Sequence, residues 1–198
     1  SLRLGNPEPR NLEVYALLSG LPFPNHFIKD LVKNQEEISK RINNALHYWV
    51  KPNNLGIEYF VFKWPNEELK IDLGKISEVL SEIMERSFTL EIRGIQINSD
   101  GCVIARGFDD SGTLFRVREY LKENLPEAPK KQSNWAHVPL GRILEPVGLK
   151  NFERLKQYFR DNKSKLITKC NIKNIKFIHE TQWYMEKREL IREYRLIE

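Results

Sequence analysis

Residues Asn134–Leu144 read NWAHVPLGRIL, and the rest of the chain is organised around them. The stretch holds His137, one of four histidines, with Val138 and Leu140 at alternating apolar positions and Arg142 just beyond. Alternation of this kind predicts a strand over residues 135–144. Imidazole changes charge near neutral pH, so a histidine in such a strand is either a satisfied structural residue or a group that moves protons. The residues alone leave both readings open.

Downstream of this strand, Phe152, Leu155, Tyr158 and Phe159 mark one stripe of a helix over 149–161. A strand over 172–181 and a returning strand over 189–197 follow. Upstream, Leu125–Ser133 (LPEAPKKQS) is a polar, proline-bearing connector. Before it the same order of elements occurs once already. A strand over 12–20 and a helix over 25–49 lead to the aromatic strand IEYFVFKW at 57–64. A helix over 74–86 and a strand over 88–98 come next. Gly94 shifts the phase of that strand, which predicts a bulge. Ser99-Asp100-Gly101 is a hairpin turn into a strand over 102–108, and a helix over 112–124 closes the half. Two halves of similar order suggest a weak internal duplication. The expected fold class is α+β: two pseudo-symmetric lobes of antiparallel or mixed sheet, helices on the outer faces and a central groove. One bilobal domain is expected over 1–198, with its connector around 125–133.

Composition sets limits on this reading. The chain has 198 residues, 40% of them hydrophobic and 30% charged, which is the balance of a globular protein. No run approaches the roughly 18 apolar residues of a membrane span and no signal segment opens the chain, so a cytoplasmic protein without membrane contact is expected. Cys102 and Cys170 have no metal or redox spacing and read as structural thiols. The net charge of +5 permits an anionic ligand without demanding one. Its densest excess is the lysine run over 162–176, which reads either as a solvated face or as a track for a phosphate backbone.

The pattern resembles the two-histidine (2H) phosphoesterase superfamily, which includes the 2′-5′ RNA ligase-like proteins (LigT-like) and the 2′,3′-cyclic phosphodiesterases. The resemblance runs through WVKPNN, the hairpin FTLEIRGIQINSDGCVIARGF, the motif HVPLGR, and NIKNIKFIHET followed by REYRLI. That family carries two His-x-Thr/Ser motifs that face each other across a groove. In the second motif His137 and Arg142 match, and Pro139 stands in place of the hydroxyl residue. In the first, Tyr59 aligns with the histidine and Val61 with the hydroxyl residue.

The resemblance implies metal-independent cleavage of a phosphodiester, with one histidine as base, one as acid, and two hydroxyls on the phosphoryl oxygens. No cofactor and no metal are implied. The candidate catalytic residues are His137 and Tyr59. The latter is a poor base at neutral pH, since a phenol titrates at about 10. Arg142, Lys63, Arg93 and Arg106 are candidate phosphate-binding residues, and Trp135 is a candidate platform for a base. Each also has a bland alternative as a strand or rim residue. The expected ligand is an RNA end or a small phosphodiester nucleotide, and the expected state a monomer. Two functions remain in view: a diverged phosphoesterase-like protein of weak parent activity, and a non-catalytic nucleotide- or RNA-binding protein on the same fold.

Overall fold

The structure, a computed structural model, describes residues 2–3 and 6–198. Its strands are β1 (Leu2–Arg3), β2 (Asn6–Pro9), β3 (Asn11–Gly20), β4 (His47–Trp49), β5 (Gly56–Lys63), β6 (Phe88–Ile97), β7 (Cys102–Phe108), β8 (Ala136–Ile143), β9 (Leu166–Ile172), β10 (Asn174–Gln182) and β11 (Lys187–Arg195). Its helices are α1 (Asn25–Ile42), α2 (Leu73–Ser81), α3 (Thr113–Asn124) and α4 (Leu149–Asp161).

Two main sheets form, ordered β11-β10-β3-β5 and β4-β8-β7-β6-β9, and all their ladders are antiparallel. The lobes are therefore not the two halves of the chain. The β6–β7 hairpin of the first half pairs with β8 of the second, and the β10–β11 hairpin of the second half pairs with β3 of the first. This exchange leaves β5 and β8 packed side by side where the two sheets meet. Helices α1 and α4 pack on each other, α1 lies against β8 and β9, and α3 lies against β5. Their apolar stripes join the inner faces of both sheets in the main core, around Phe27, Leu31, Phe62, Leu90, Val138 and Phe177. A smaller cluster of Val14, Ala16, Leu18, Val61, Ile178 and Met185 covers the opposite face of the four-stranded sheet.

The long first helix is shorter than its apolar spacing predicts. It ends at Ile42 because Asn43 and Asn44 both take left-handed conformations (φ 49° and 65°), which asparagine tolerates and which end a helix. His47–Trp49 then forms an edge strand on β8. The close approach of these strands depends on Gly141, where a Cβ would lie 2.2 Å from the Tyr48 carbonyl oxygen. The lysine run over 162–176 spans β9; Lys163, Lys165, Lys169 and Lys173 are exposed, and Cys170 and Ile172 are buried between the last two. Gly94 sits at a shift of register between β6 and β7, as the phase change predicts. No helix among the described residues is long and apolar enough to cross a membrane.

Candidate functional site between the sheets

Strand alternation brings Gly56 and Glu58 of β5 to one cavity, which His137 and Pro139 of β8 line from the other sheet. Leu18 of β3, Val50, Asn54, Glu180 of β10 and the turn residues Trp183, Tyr184 and Met185 complete it around a volume of about 130 Å³. The turn is fastened to the far side of the groove. Glu186 accepts hydrogen bonds from Tyr48 Oη and Lys51 Nζ, each at 2.5 Å, and Arg188 Nη1 donates to Asn54 Oδ1 at 2.7 Å.

Beyond Glu58 the alternation breaks. Leu18 pairs with Glu58 but Leu17 pairs with Phe60, so Tyr59 is an extra residue, and both Tyr59 and Phe60 turn into the main core. Tyr59 is fully buried and does not line the cavity; its hydroxyl shares a hydrogen bond with Ser19 Oγ at 3.0 Å, and burial holds it well above its ordinary range of titration. Val61 is likewise packed in the smaller apolar cluster. Of the β5 residues it is Gly56 and Glu58, two positions apart, that line the cavity with His137, and not Tyr59 or Val61.

The predicted cations also lie elsewhere. Lys63 is buried against Glu13 at 3.0 Å. Arg93 pairs with Glu91, and Arg142 with Asp100. Arg106 donates to the carbonyls of Arg93 and Lys163 and lines a separate cleft. None of the four lines the cavity that His137 lines. Trp135 is close to it: the residue is 41% exposed and its ring centroid lies 5.1 Å from that of His137.

The cavity's electrostatics come from His137 and from three residues that the hydrophobic period does not single out, Glu58, Glu180 and Arg118. Glu58 is pushed up to about 7 by burial, against the opposing charge of Arg118. Glu180 is also pushed up to about 7 by burial, opposed by the hydrogen bond it accepts from the Met185 N–H at 2.9 Å and reinforced by the charge of Glu58. His137 is lowered, first by burial and then by Arg118, with the Trp135 carbonyl acting the other way. Its Nδ1 has no hydrogen-bond partner among the described residues. Arg118 is buried behind the site and ties the sheets together. Its guanidinium donates to the carbonyls of Tyr59 and Glu58, both at 2.8 Å, and of Trp135 at 3.1 Å. The sequence does carry a signal for each: Glu58 is an acid inside an apolar strand, Glu180 an acid inside NIKFIHETQ, and Arg118 lies on the Leu114–Leu121 stripe of α3. No cluster of three or more acidic, histidine or cysteine residues among the described residues is placed to hold a metal ion.

The two raised carboxyls make stability depend on pH. Each binds a proton more tightly in the folded chain than at its ordinary 4.5, so their stabilising contribution is complete below about 4.5 and is lost as pH rises through about 7. For Glu180, only 3% exposed, the loss amounts to roughly 3 kcal/mol. Melting temperature is expected to fall between pH 5 and 8, and to fall less in Glu180→Gln. An unchanged slope in the variant would remove Glu180 as its source.

No family model and no curated protein matches the chain. Solved structures do. TT0787 of Thermus thermophilus superposes with a TM-score of 0.66 at 13% identity, over 93% of this chain and 97% of that one. E. coli LigT in its apo form gives 0.63 at 11% identity, over 96% and 99%. LigT complexed with 3′-AMP gives 0.60 at 12% identity, over the same shares of the two chains. The chain thus has the LigT-like two-histidine phosphoesterase fold.

Proposed function

We propose that the groove binds the phosphodiester of an RNA end or a cyclic nucleotide, and that His137 and Glu58 act on it as a weak base and acid. The observation that carries this reading is the shared cavity of His137 and Glu58, one from each sheet. His137, neutral at pH 7, takes the proton of an attacking water. Glu58, half protonated near pH 7, protonates the leaving oxygen and in that form donates a hydrogen bond to a phosphoryl oxygen. At about 130 Å³ the cavity takes the phosphodiester alone, and the nucleoside lies outside, with the exposed face of Trp135 as its platform. The complexes of LigT with phosphate, ATP and 3′-AMP support a nucleotide-sized anion as the ligand class.

Both groups are in working form only between the lowered value of His137 and about 7. Turnover of 2′,3′-cyclic AMP is expected to peak below pH 7 and to fall above it, as Glu58 ionises and repels the substrate. His137→Ala and Glu58→Gln are each expected to lower it about 10²–10⁴-fold. Turnover that neither substitution changes would refute the acid–base pair. The second reading, binding without chemistry, is favoured by Gly56, which offers no side chain at a position facing His137. Salt-sensitive binding of short RNA with no product would establish it in place of the first.

A further inference from the structure

Helix α4 carries an apolar stripe that the fold covers only in part. Phe152, Leu155 and Phe159 recur at spacings of three and four, which places them on one face. Leu155 is the one residue of α4 that is buried, and Phe152 is 48% exposed. This face borders a cleft of about 830 Å³, walled on its other side by Ile95 and Ile97 of β6. Such a volume lies within the roughly 300–1,000 Å³ typical of small-molecule sites.

The charges around the cleft are unevenly committed. Its acids are engaged: Asp100 pairs with Arg142, and Glu145 accepts the Leu46 N–H at 2.7 Å. Among its cations, Arg106 is held by two carbonyls and Lys156 lies 3.5 Å from Glu153. Arg160 and Lys163, which also line it, form no side-chain ion pair among the described residues. An apolar trough with free cations at its rim suits an amphiphile with a negative head. Most of its lining is aliphatic or phenyl, with Gln96, Asn98 and Ser99 among it, and this suits an alkyl chain better than the hydrogen-bonding edge of a base.

We propose that the cleft between α4 and β6 is a second binding site, for a medium-chain acyl carboxylate whose chain lies against Phe152 and Ile97 and whose head meets Arg160 and Lys163. The site is separate from the groove and stands whether or not the groove reading does.

The test is fluorescence titration of the full chain with a dansyl-labelled undecanoate, followed by displacement. Saturable enhancement is expected, reversed by decanoate but not by decyltrimethylammonium or ATP. Phe152→Asp alters an exposed side chain, so the fold survives, as circular dichroism would verify, and probe affinity is expected to drop about tenfold or more. The double variant Arg160→Glu/Lys163→Glu is expected to lose roughly tenfold, the effect of removing two exposed attractions and adding two repulsions. Leu149→Asp, at a 79% exposed residue that does not line the cleft, serves as the control and is expected to bind as the native chain does. No saturable binding, displacement by ATP or by the cationic amphiphile as readily as by decanoate, or indifference to both cleft variants would overturn the proposal.

Discussion

Adding Gly56→His to Glu58→Thr is expected to raise hydrolysis of 2′,3′-cyclic nucleotides by about 10²–10⁴ over the Glu58→Thr single variant, the range that one well-placed acid–base group contributes. The two positions lie two residues apart on β5 and face the cavity that His137 lines. A histidine at 56 supplies a second imidazole opposite His137, and a threonine at 58 exchanges an acid that ionises near neutrality for a neutral hydroxyl donor. The backbone accommodates the change at modest cost. A Cβ on Gly56 would lie 3.1 Å from Leu21 Cδ2 and 3.3 Å from the Ser19 carbonyl, so the Leu21 side chain must yield slightly. The gain should vanish when His137→Ala is added. A folded double variant with no gain would mean that this cavity is not where a phosphodiester sits.

Arg118→Met is expected to be the most destabilising single substitution around the site, by roughly 3–5 kcal/mol. The arginine is 4% exposed, and its three hydrogen bonds join β5 to the entry of β8. Methionine fills part of the space but leaves carbonyls of Glu58, Tyr59 and Trp135 without that donor. At this chain length the loss corresponds to a fall in melting temperature of roughly 10 °C. A second effect separates this role from simple packing. Arg118 lowers both His137 and Glu58, so both should titrate at higher pH in the variant. Proton NMR of His137 tests this directly, and an unmoved titration would show that the guanidinium charge does not reach the cavity.

Much of the architecture is legible in the sequence because burial imposes a period. The alternation around His137, the stripe of α3 and the phase shift at Gly94 all correspond to what forms. The discrepancies are places where one local rule overrode the period. Two left-handed asparagines end α1 although Ala45 and Trp49 continue its spacing. A bulge at Tyr59 reverses the inside–outside count along β5, so counting from the aromatic run selects a core phenol and passes over Glu58. Charge posed a different problem. Arg142, Lys63 and Arg106 look available in one dimension, yet their partners, Asp100, Glu13 and the Lys163 carbonyl, are brought near only by folding. The acids that do face His137 are separated by more than a hundred residues, and no local pattern links them.

The exchange of hairpins between lobes bears on the order in which the protein can be made. A ribosome delivers β3 and β5 early, but their sheet is finished only when β10 and β11 emerge, and β8 waits for no later strand than β9 to complete its own. Glu180 and the turn that closes the cavity travel on the last hairpin. Until then β3 presents an unpaired edge, a hazard for association between nascent chains. The cavity is therefore closed only once β10 and the turn after it have been made, and a polypeptide cut short before residue 174 has the histidine without its chamber.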